Sequence, residues 1–215
     1  MSTGDLEMSS HAVATGKEED ALKASLEGPP RERILTVARD LFYRQGIHAV
    51  GVDAIAAAAG TNKMTLYRHF GSKDELIAEC LAAYVAELEG AWNEFAKKHP
   101  GDALGQLHSW LRYVGEFKLQ QAERGCAFIN AAAELPDKNH PARRVIEQHK
   151  SELRRKLIAL CDEAGLVEPD LLADKMFLLC EGARTSIQSI GPNGPASRLP
   201  QMLDGLVADH APRKS

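Results

Sequence analysis

The sequence has few cysteines, and no two of them lie close together. Cys80, Cys126, Cys161 and Cys180 are the only four in 215 residues, and none forms a CxxC pair. Disulfide-rich domains and zinc sites place their cysteines at short, recurring spacings. The spacing here favours a protein with reduced thiols, so we expect it to act in the cytoplasm without a bound metal or other cofactor.

Long apolar runs are also missing. No stretch approaches the roughly 20 apolar residues of a transmembrane helix, and residues 1–28 lack the apolar segment of a signal peptide. Residues 1–29 are instead rich in Ser, Thr, Gly and acidic side chains, which predicts a disordered acidic arm. We expect no membrane partner, and an apolar content of 44% is sufficient for a globular core.

Sequence patterns typical of enzymes are absent as well. The chain has no phosphate-binding glycine loop, no pairing of a nucleophile with a base and no metal-ligand motif. Glu134, His140 and His149 have no recognisable zinc spacing. We therefore do not expect an enzyme, although a small helical enzyme or binding protein that uses the region of Glu134 and His149 stays an alternative.

One segment of this acidic chain is basic. The whole chain has a net charge of −4, whereas residues 31–73 hold seven Lys or Arg side chains against three acidic ones, a net charge of +4. A local excess of positive charge indicates a polyanion such as nucleic acid. A solvated basic surface explains the charge equally well, so the interpretation depends on how the segment folds.

Apolar spacing predicts three short helices in the basic segment. The first spans 30–46, the second spans 52–60, and the third follows Asn62, a residue suited to capping a helix N-terminus. Leu66 and Phe70 are one turn apart in the third helix and should face inward, which leaves its polar and basic side chains outside. Two short helices joined by a tight turn form a helix-turn-helix, whose second helix enters the DNA major groove.

A fourth helix is predicted to begin at Ser72, because Ser72, Lys73, Asp74 and Glu75 fit a capping box. Lys73, like Lys63 in the third helix, lies in a first turn, where the helix dipole disfavours a cation. A phosphate bound at each helix start would make both positions favourable. The alternative is that both lysines are exposed and lose only a few tenths of a kcal/mol.

These motifs resemble the TetR family of transcriptional regulators. The similarity covers ILTVARDLFYRQGIHAVGVDAIAAAAGTNKMTLYRHFGSKDELI, with AAAAG, TLYRHF and GSKDELI as its most specific parts; beyond Leu76 only the helical architecture is similar. The resemblance implies an all-α fold with a helix-turn-helix DNA-binding domain at 30–75. It also implies a helical ligand-binding and dimerisation domain at 76–211, followed by a tail at 212–215.

The resemblance also assigns roles to individual side chains. Those expected to contact phosphates are Thr65, Tyr67, His69 and Lys73, and those expected to face the bases are Lys63, Met64 and Arg68. The chemistry agrees for Arg68, whose planar fork can bind guanine O6 and N7, and for Tyr67, whose hydroxyl can donate to a phosphate oxygen. Gly51 and Thr61 depart from the family, which commonly has Thr or Ser and a small apolar residue at these positions.

The larger half of the chain is predicted to be helical throughout, from Asp74 to about Ala211. Members of the family form homodimers through their last two long helices. The expected DNA partner also favours a dimer, because one small recognition helix makes few base contacts. Two half-sites about one turn apart in double-stranded DNA multiply the specificity.

Candidates for a ligand pocket are the large apolar side chains of this half and a few polar ones. They are Trp110, Tyr113, Phe117, Phe128, Asn130, Glu134, His149, Met176 and Phe177. Aromatic residues and methionine at helical spacing are more often plain core, and Asn130 and Glu134 either bond to a neighbouring helix or orient a ligand. We expect a repressor that leaves a palindromic operator when a small, largely apolar effector binds.

Cys126 favours an alternative regulator that senses oxidants or electrophiles. It follows Arg124 and Gly125 at a predicted helix start, where a thiolate would be stabilised. A free cysteine is more often a small buried apolar residue. A third alternative, a protein that coats DNA, would bind unrelated duplexes equally well.

Overall fold

The computed structural model describes residues 28–118 and 124–212, without the side chains of 116–118. All regular structure in these ranges is helical, which confirms the predicted all-α class. The nine α-helices are α1 Pro30–Gln45, α2 Val52–Ala58, α3 Lys63–Phe70, α4 Lys73–Lys98, α5 Ala103–Arg112, α6 Ala127–Glu134, α7 Pro141–Glu163, α8 Pro169–Ile190 and α9 Leu199–Asp209. Across the described ranges, no helix is long and apolar enough to cross a bilayer.

The chain divides into two compact units, residues 1–80 and 81–215. The boundary falls inside α4, whereas the domains predicted from the sequence change after residue 75. The predicted acidic arm lies outside the described residues except for Gly28 and Pro29, and so does the predicted tail except for residue 212.

The first unit is held together by one apolar side of each short helix. Buried residues are Ile34, Val37, Ala38 and Phe42 in α1, Ile55 and Ala56 in α2, and Leu66 and Phe70 in α3. In α1 and α3 they recur at spacings of three or four residues, which brings them to one side of each helix, and in α2 the two are adjacent. Burying each large side chain contributes about 1.5–3 kcal/mol, so these contacts fix the orientation of α3.

A tight turn joins α2 to α3. Gly60 has φ of +61°, a conformation that other residues rarely adopt. Its N–H donates to Ala57 O at 3.0 Å, and the N–H of Thr61 donates to Ala56 O at 2.9 Å, the bonding pattern of a Schellman helix end. Arg33 donates from Nε to Ala59 O at 3.0 Å, so a second element holds the end of α2.

The second unit has its own hydrophobic core. Side chains from four helices meet there without any exposed surface. They are Leu107 of α5, Leu157 of α7, Leu172 and Met176 of α8, and Leu203 of α9. After Arg112 the chain continues as a π-helical segment, Tyr113–Lys118. A Cβ atom added at Gly115 in this segment would lie 3.1 Å from Pro200 Cγ. Gly115 therefore packs closely against Pro200. The sequence predicted only that this half is helical, because apolar spacing does not distinguish an α-helix from a π-helix.

Candidate functional site

The α3 helix is anchored from its N-terminus as the sequence predicts. Asn62 is the N-cap, and its Oδ1 accepts a hydrogen bond from the N–H of Thr65 at 2.9 Å. Leu66 is fully buried and Phe70 is 4% exposed. The structure therefore confirms both the cap and the inward face of α3. Because these two are fixed, the remaining side chains of the helix face outward.

The outward face of α3 carries most of the predicted DNA contacts. Met64 is 84% exposed and Tyr67 is 39% exposed. Lys63 and Arg68 are exposed too, whereas Thr65 and His69 are half-buried at the flanks. This arrangement presents two cations, a phenol and a thioether together on one short helix.

Lys63 has an acidic neighbour across the turn. Its Nζ lies 3.3 Å from Oδ2 of Asp53 in α2, and both side chains are largely exposed. An exposed ion pair of this kind contributes little to stability. The pair accounts for a lysine in a first turn without requiring a phosphate, and it is weak enough to be exchanged for one.

Lys73 is held more firmly. Its Nζ donates to the carbonyl oxygen of Ile47 at 2.7 Å and lies 5.8 Å from the centre of the Phe42 ring. The carbonyl offsets the unfavourable position of Lys73 in the first turn of α4, so the sequence argument for a phosphate there loses its force. An ammonium group has three donors, and the phosphate contact of Lys73 stays a prediction.

Helix starts elsewhere in this unit differ in how they are capped. Ser72 Oγ accepts from the N–H of Glu75 at 3.0 Å, which confirms its capping of α4. Gly51 precedes α2 and supplies no side-chain cap. Nothing lies within 4 Å of a Cβ built at Gly51, so the missing Thr or Ser is not excluded by space.

A cleft with aromatic walls opens in the second unit. The aromatic side chains that line it are Trp92, Phe95, Trp110, Tyr113 and Phe177, and the polar ones are His149, Glu181 and Arg184. Trp92 and Trp110 are stacked on each other, with ring centres 6.1 Å apart, so this pair of rings forms part of the apolar wall.

The polar end of the cleft is built by α7 and α8. Lys150 donates to Glu181 Oε1 at 2.7 Å, and Arg184 Nη1 lies 3.5 Å from the same oxygen. His149 stacks on Phe128 at 4.4 Å. Burial lowers the pKa of His149 to about 4, with the charges of Lys150 and Arg184 acting in the same direction. His149 is therefore neutral at pH 7.

The predicted ligand residues separate into two groups. Trp110, Tyr113, His149 and Phe177 line the cleft, whereas Phe128, Asn130, Glu134 and Met176 are not among its lining residues. Phe117 lies outside the described side chains.

Two of the residues outside the lining have structural partners. Asn130 donates to Arg124 O at 2.7 Å and accepts from Gln188 at 3.2 Å. Met176 is fully buried in the core.

Four important lining residues are not among the predicted ones. They are Trp92, Phe95, Glu181 and Arg184. A signal was available for the last two. Glu181 and Arg184 are four and seven residues after Phe177, so they lie on the same face of the helix. Trp92 and Phe95 gave no comparable signal, since they continue the apolar side of α4.

Cys126 lies next to the polar end of the cleft. It is the N-cap of α6 and is 7% exposed. Its Sγ is 3.9 Å from Lys150 Nζ and 3.8 Å from Arg184 Nη1. Burial raises the pKa of Cys80 and Cys180 to about 12 and that of Cys161 to about 11, so those three thiols stay protonated at neutral pH.

In the part of the chain that the structure describes, a short basic helix faces outward from the first unit, and a second, helical unit follows with its own core and cleft. This arrangement defines a helix-turn-helix DNA-binding protein with a large C-terminal domain. The family profile described as "Bacterial regulatory proteins, tetR family" matches residues 34–80. The HTH-type transcriptional regulator AcrR of Shigella flexneri is 26% identical over 161 residues, 71% of this chain and 73% of AcrR.

Solved structures extend the similarity through the second unit. The TetR-family transcriptional regulator SCO4454 of Streptomyces coelicolor has a TM-score of 0.77 and 29% identity, covering 85% of this chain and 96% of that one. The protein sav143 of Streptomyces avermitilis, assigned to the same type of regulator, has 30% identity and a TM-score of 0.65 over 86% and 100% of the two chains. The chain belongs to the TetR family of transcriptional regulators.

Proposed function

We propose that the protein is a homodimeric repressor that binds a palindromic operator in double-stranded DNA and leaves it when a small, largely apolar effector occupies the cleft. The observation that carries this proposal is the exposed basic face of α3, whose orientation is fixed by buried Leu66 and Phe70. Such a repressor acts in the cytoplasm, where the DNA is.

Sequence specificity is assigned to Lys63, Met64 and Arg68. Arg68 is exposed on α3, and its fork can donate two hydrogen bonds to O6 and N7 of one guanine. Met64, with 84% of its surface exposed, can contact a thymine methyl group. Lys63 must exchange Asp53 for an acceptor on a base, which costs little because the pair is exposed.

We assign the contacts with the DNA backbone, which fix the position of the protein along the duplex, to Thr65, Tyr67, His69 and Lys73. Hydroxyl groups, ammonium groups and imidazole N–H groups donate to phosphate oxygens and fix orientation without reading sequence. Lys73 donates to the carbonyl oxygen of Ile47, and an ammonium group can donate to a phosphate oxygen as well.

Exposed apolar side chains on α8 support the homodimer. Leu171 is 45% exposed and Leu178 is 68% exposed, and the two are seven residues apart, so they lie on the same side of the helix. Exposed apolar side chains on one helix face are the kind that an interface between copies of the chain would cover. The dimer would place one α3 helix in each of two half-sites.

Release from the operator requires the effector to bind the DNA-incompetent conformation more tightly than the competent one. The α4 helix is the candidate lever, because it carries Lys73 in its first turn and the cleft residues Trp92 and Phe95 farther along. A change in the spacing of the two α3 helices would spoil their fit to successive major grooves.

Replacing Tyr67 with phenylalanine tests the backbone contacts. The change removes the hydroxyl and keeps the ring, so we expect affinity for an operator to fall about tenfold or more, through loss of a hydrogen bond to a charged phosphate in each half-site. Fluorescence anisotropy of labelled duplexes measures the effect, which should be the same for mismatched sequences. Tyr84→Phe in the second unit is the matched control, and equal binding by both variants would contradict the assignment.

The contacts of Cys126 favour a second candidate, a regulator that responds to oxidants or electrophiles. Two cations lie within 4 Å of the sulfur, a setting typical of reactive cysteines, and Cys80, Cys161 and Cys180 serve as internal references. At pH 7.5 we expect iodoacetamide to alkylate Cys126 first, as followed by mass spectrometry of peptides. Alkylation of Cys126 no faster than the reference thiols, or oxidant-induced DNA release that persists in Cys126→Ser, would exclude this candidate.

A further inference from the structure

The polar end of the cleft carries an excess positive charge. Lys150 and Arg184 share one carboxylate, because both approach Oε1 of Glu181. His149 adds no charge at pH 7, and the nearby Glu89 is paired with Lys156 at 2.5 Å. Within the described residues, the local balance is one unmatched positive charge.

We assign that unmatched positive charge to the guanidinium of Arg184, whose contacts with Glu181 and Cys126 use only one of its nitrogen atoms. Among the described residues, Arg184 contacts Glu181 Oε1 and Cys126 Sγ, both through Nη1. The side chain of Arg184 is 17% exposed, so most of it is out of contact with water. A guanidinium carries five N–H donors in a planar fork that matches the two oxygens of a carboxylate.

The rest of the cleft is apolar and leads away from this cation. Phe177 is seven residues before Arg184 on α8, which places their backbones about 10 Å apart along the helix. The stacked rings of Trp92 and Trp110 extend the apolar wall. A ligand that fills the cleft therefore needs an anion at one end and an apolar body of about that length.

Other ligand charges fit less well. A cation would be repelled by the unmatched charge, and the ring faces that could bind it already have lysine partners: Lys150 lies 5.7 Å from Phe177, and Lys156 lies 5.6 Å from Trp92. A dianion such as a phosphate monoester would leave one negative charge uncompensated in a partly buried site, which is costly.

We propose that the cleft binds an amphipathic monocarboxylate, with its carboxylate on the Arg184 fork and its apolar body against Trp92, Trp110 and Phe177. This inference rests on the proposed function, because it names the chemical class of the effector. A neutral molecule of the same shape would leave the charge of Arg184 unmatched and would bind more weakly.

Intrinsic fluorescence provides a direct measurement, since both tryptophans of the chain, Trp92 and Trp110, line the cleft. The probes are decanoate, decanamide and decylammonium, together with phenylbutanoate and phenylbutanamide, titrated into the purified full-length protein without DNA. We expect each carboxylate to bind at least about tenfold more tightly than its amide, the difference made by a charge-assisted bond, and decylammonium to bind most weakly.

Variants assign the preference to Arg184. In Arg184→Gln the carboxylate-to-amide ratio should fall to near one, whereas Arg184→Lys should keep a reduced preference. Arg154→Gln removes an exposed cation, paired with Asp174, and should leave the ratio unchanged.

The wild-type comparison decides the inference even if Arg184→Gln fails to fold. Equal binding of carboxylate and amide, or no saturable binding of either carboxylate, would overturn it. If carboxylates bind preferentially but do not release operator DNA, the proposed binding site stands and the proposal of a repressor released by a ligand is refuted. The two failures are therefore distinguishable.

Discussion

Arg68→Ala is expected to weaken operator binding by about 1–3 kcal/mol at each half-site, and so by about 2–6 kcal/mol for a dimer on a palindrome. The large effect follows from the position of Arg68, exposed on a helix whose buried face allows no other orientation. Preference at the corresponding base pair should disappear as well, because only a bidentate donor distinguishes guanine there. Anisotropy titrations against operators substituted at each position measure both effects.

Two controls distinguish base recognition from a general loss of charge. Arg44→Ala removes an exposed cation that is paired with Asp40 in the same unit, and it should change operator affinity little. Lys73→Ala should weaken binding to all sequences alike. An equal loss on every sequence from Arg68→Ala would remove Arg68 from the base-reading set.

Leu66→Ala is expected to unfold the first unit by lowering its stability by about 2–5 kcal/mol, the usual effect of emptying a fully buried leucine site. Leu66 has no exposed surface, and it is the central inward side chain of α3. Urea denaturation followed by circular dichroism measures the loss, and DNA binding should fall for every sequence.

Met64→Ala is the matched control, because Met64 is 84% exposed on the same helix and such surface changes stay within about 0.5 kcal/mol. Both tryptophans lie in the second unit, so their emission should be unaffected by loss of the first. Equal stability of the Leu66→Ala and Met64→Ala variants would mean that α3 is not held as described.

The recognition helix could be predicted from the sequence because its determinants are local. Asn62 caps the helix three residues before Thr65, and Leu66 and Phe70 are one turn apart. Lys73 shows the limit of the same reasoning. Its ammonium donates to the carbonyl of Ile47, which is distant in sequence, so its place in a first turn has an explanation that the local pattern does not reveal, and its phosphate contact stays a prediction.

The cleft could be predicted only in part, because its polar end depends on contacts between separate helices. Trp110, Tyr113, His149 and Phe177 were identified from residue type alone. The charge balance depends on Lys150, Glu181 and Arg184 meeting across α7 and α8, and periodicity within one helix gives no information about such a meeting. The contacts of Cys126 with the same two cations are hidden for the same reason.

Selection of bound duplexes from a random DNA pool at near-physiological salt tests the central claim most directly. We predict enrichment of a palindrome whose half-sites lie about one helical turn apart and which binds at least about a thousandfold more tightly than bulk DNA. Binding that is equal for all duplexes and falls steeply with salt, with no sequence enriched, would contradict a dimeric sequence reader.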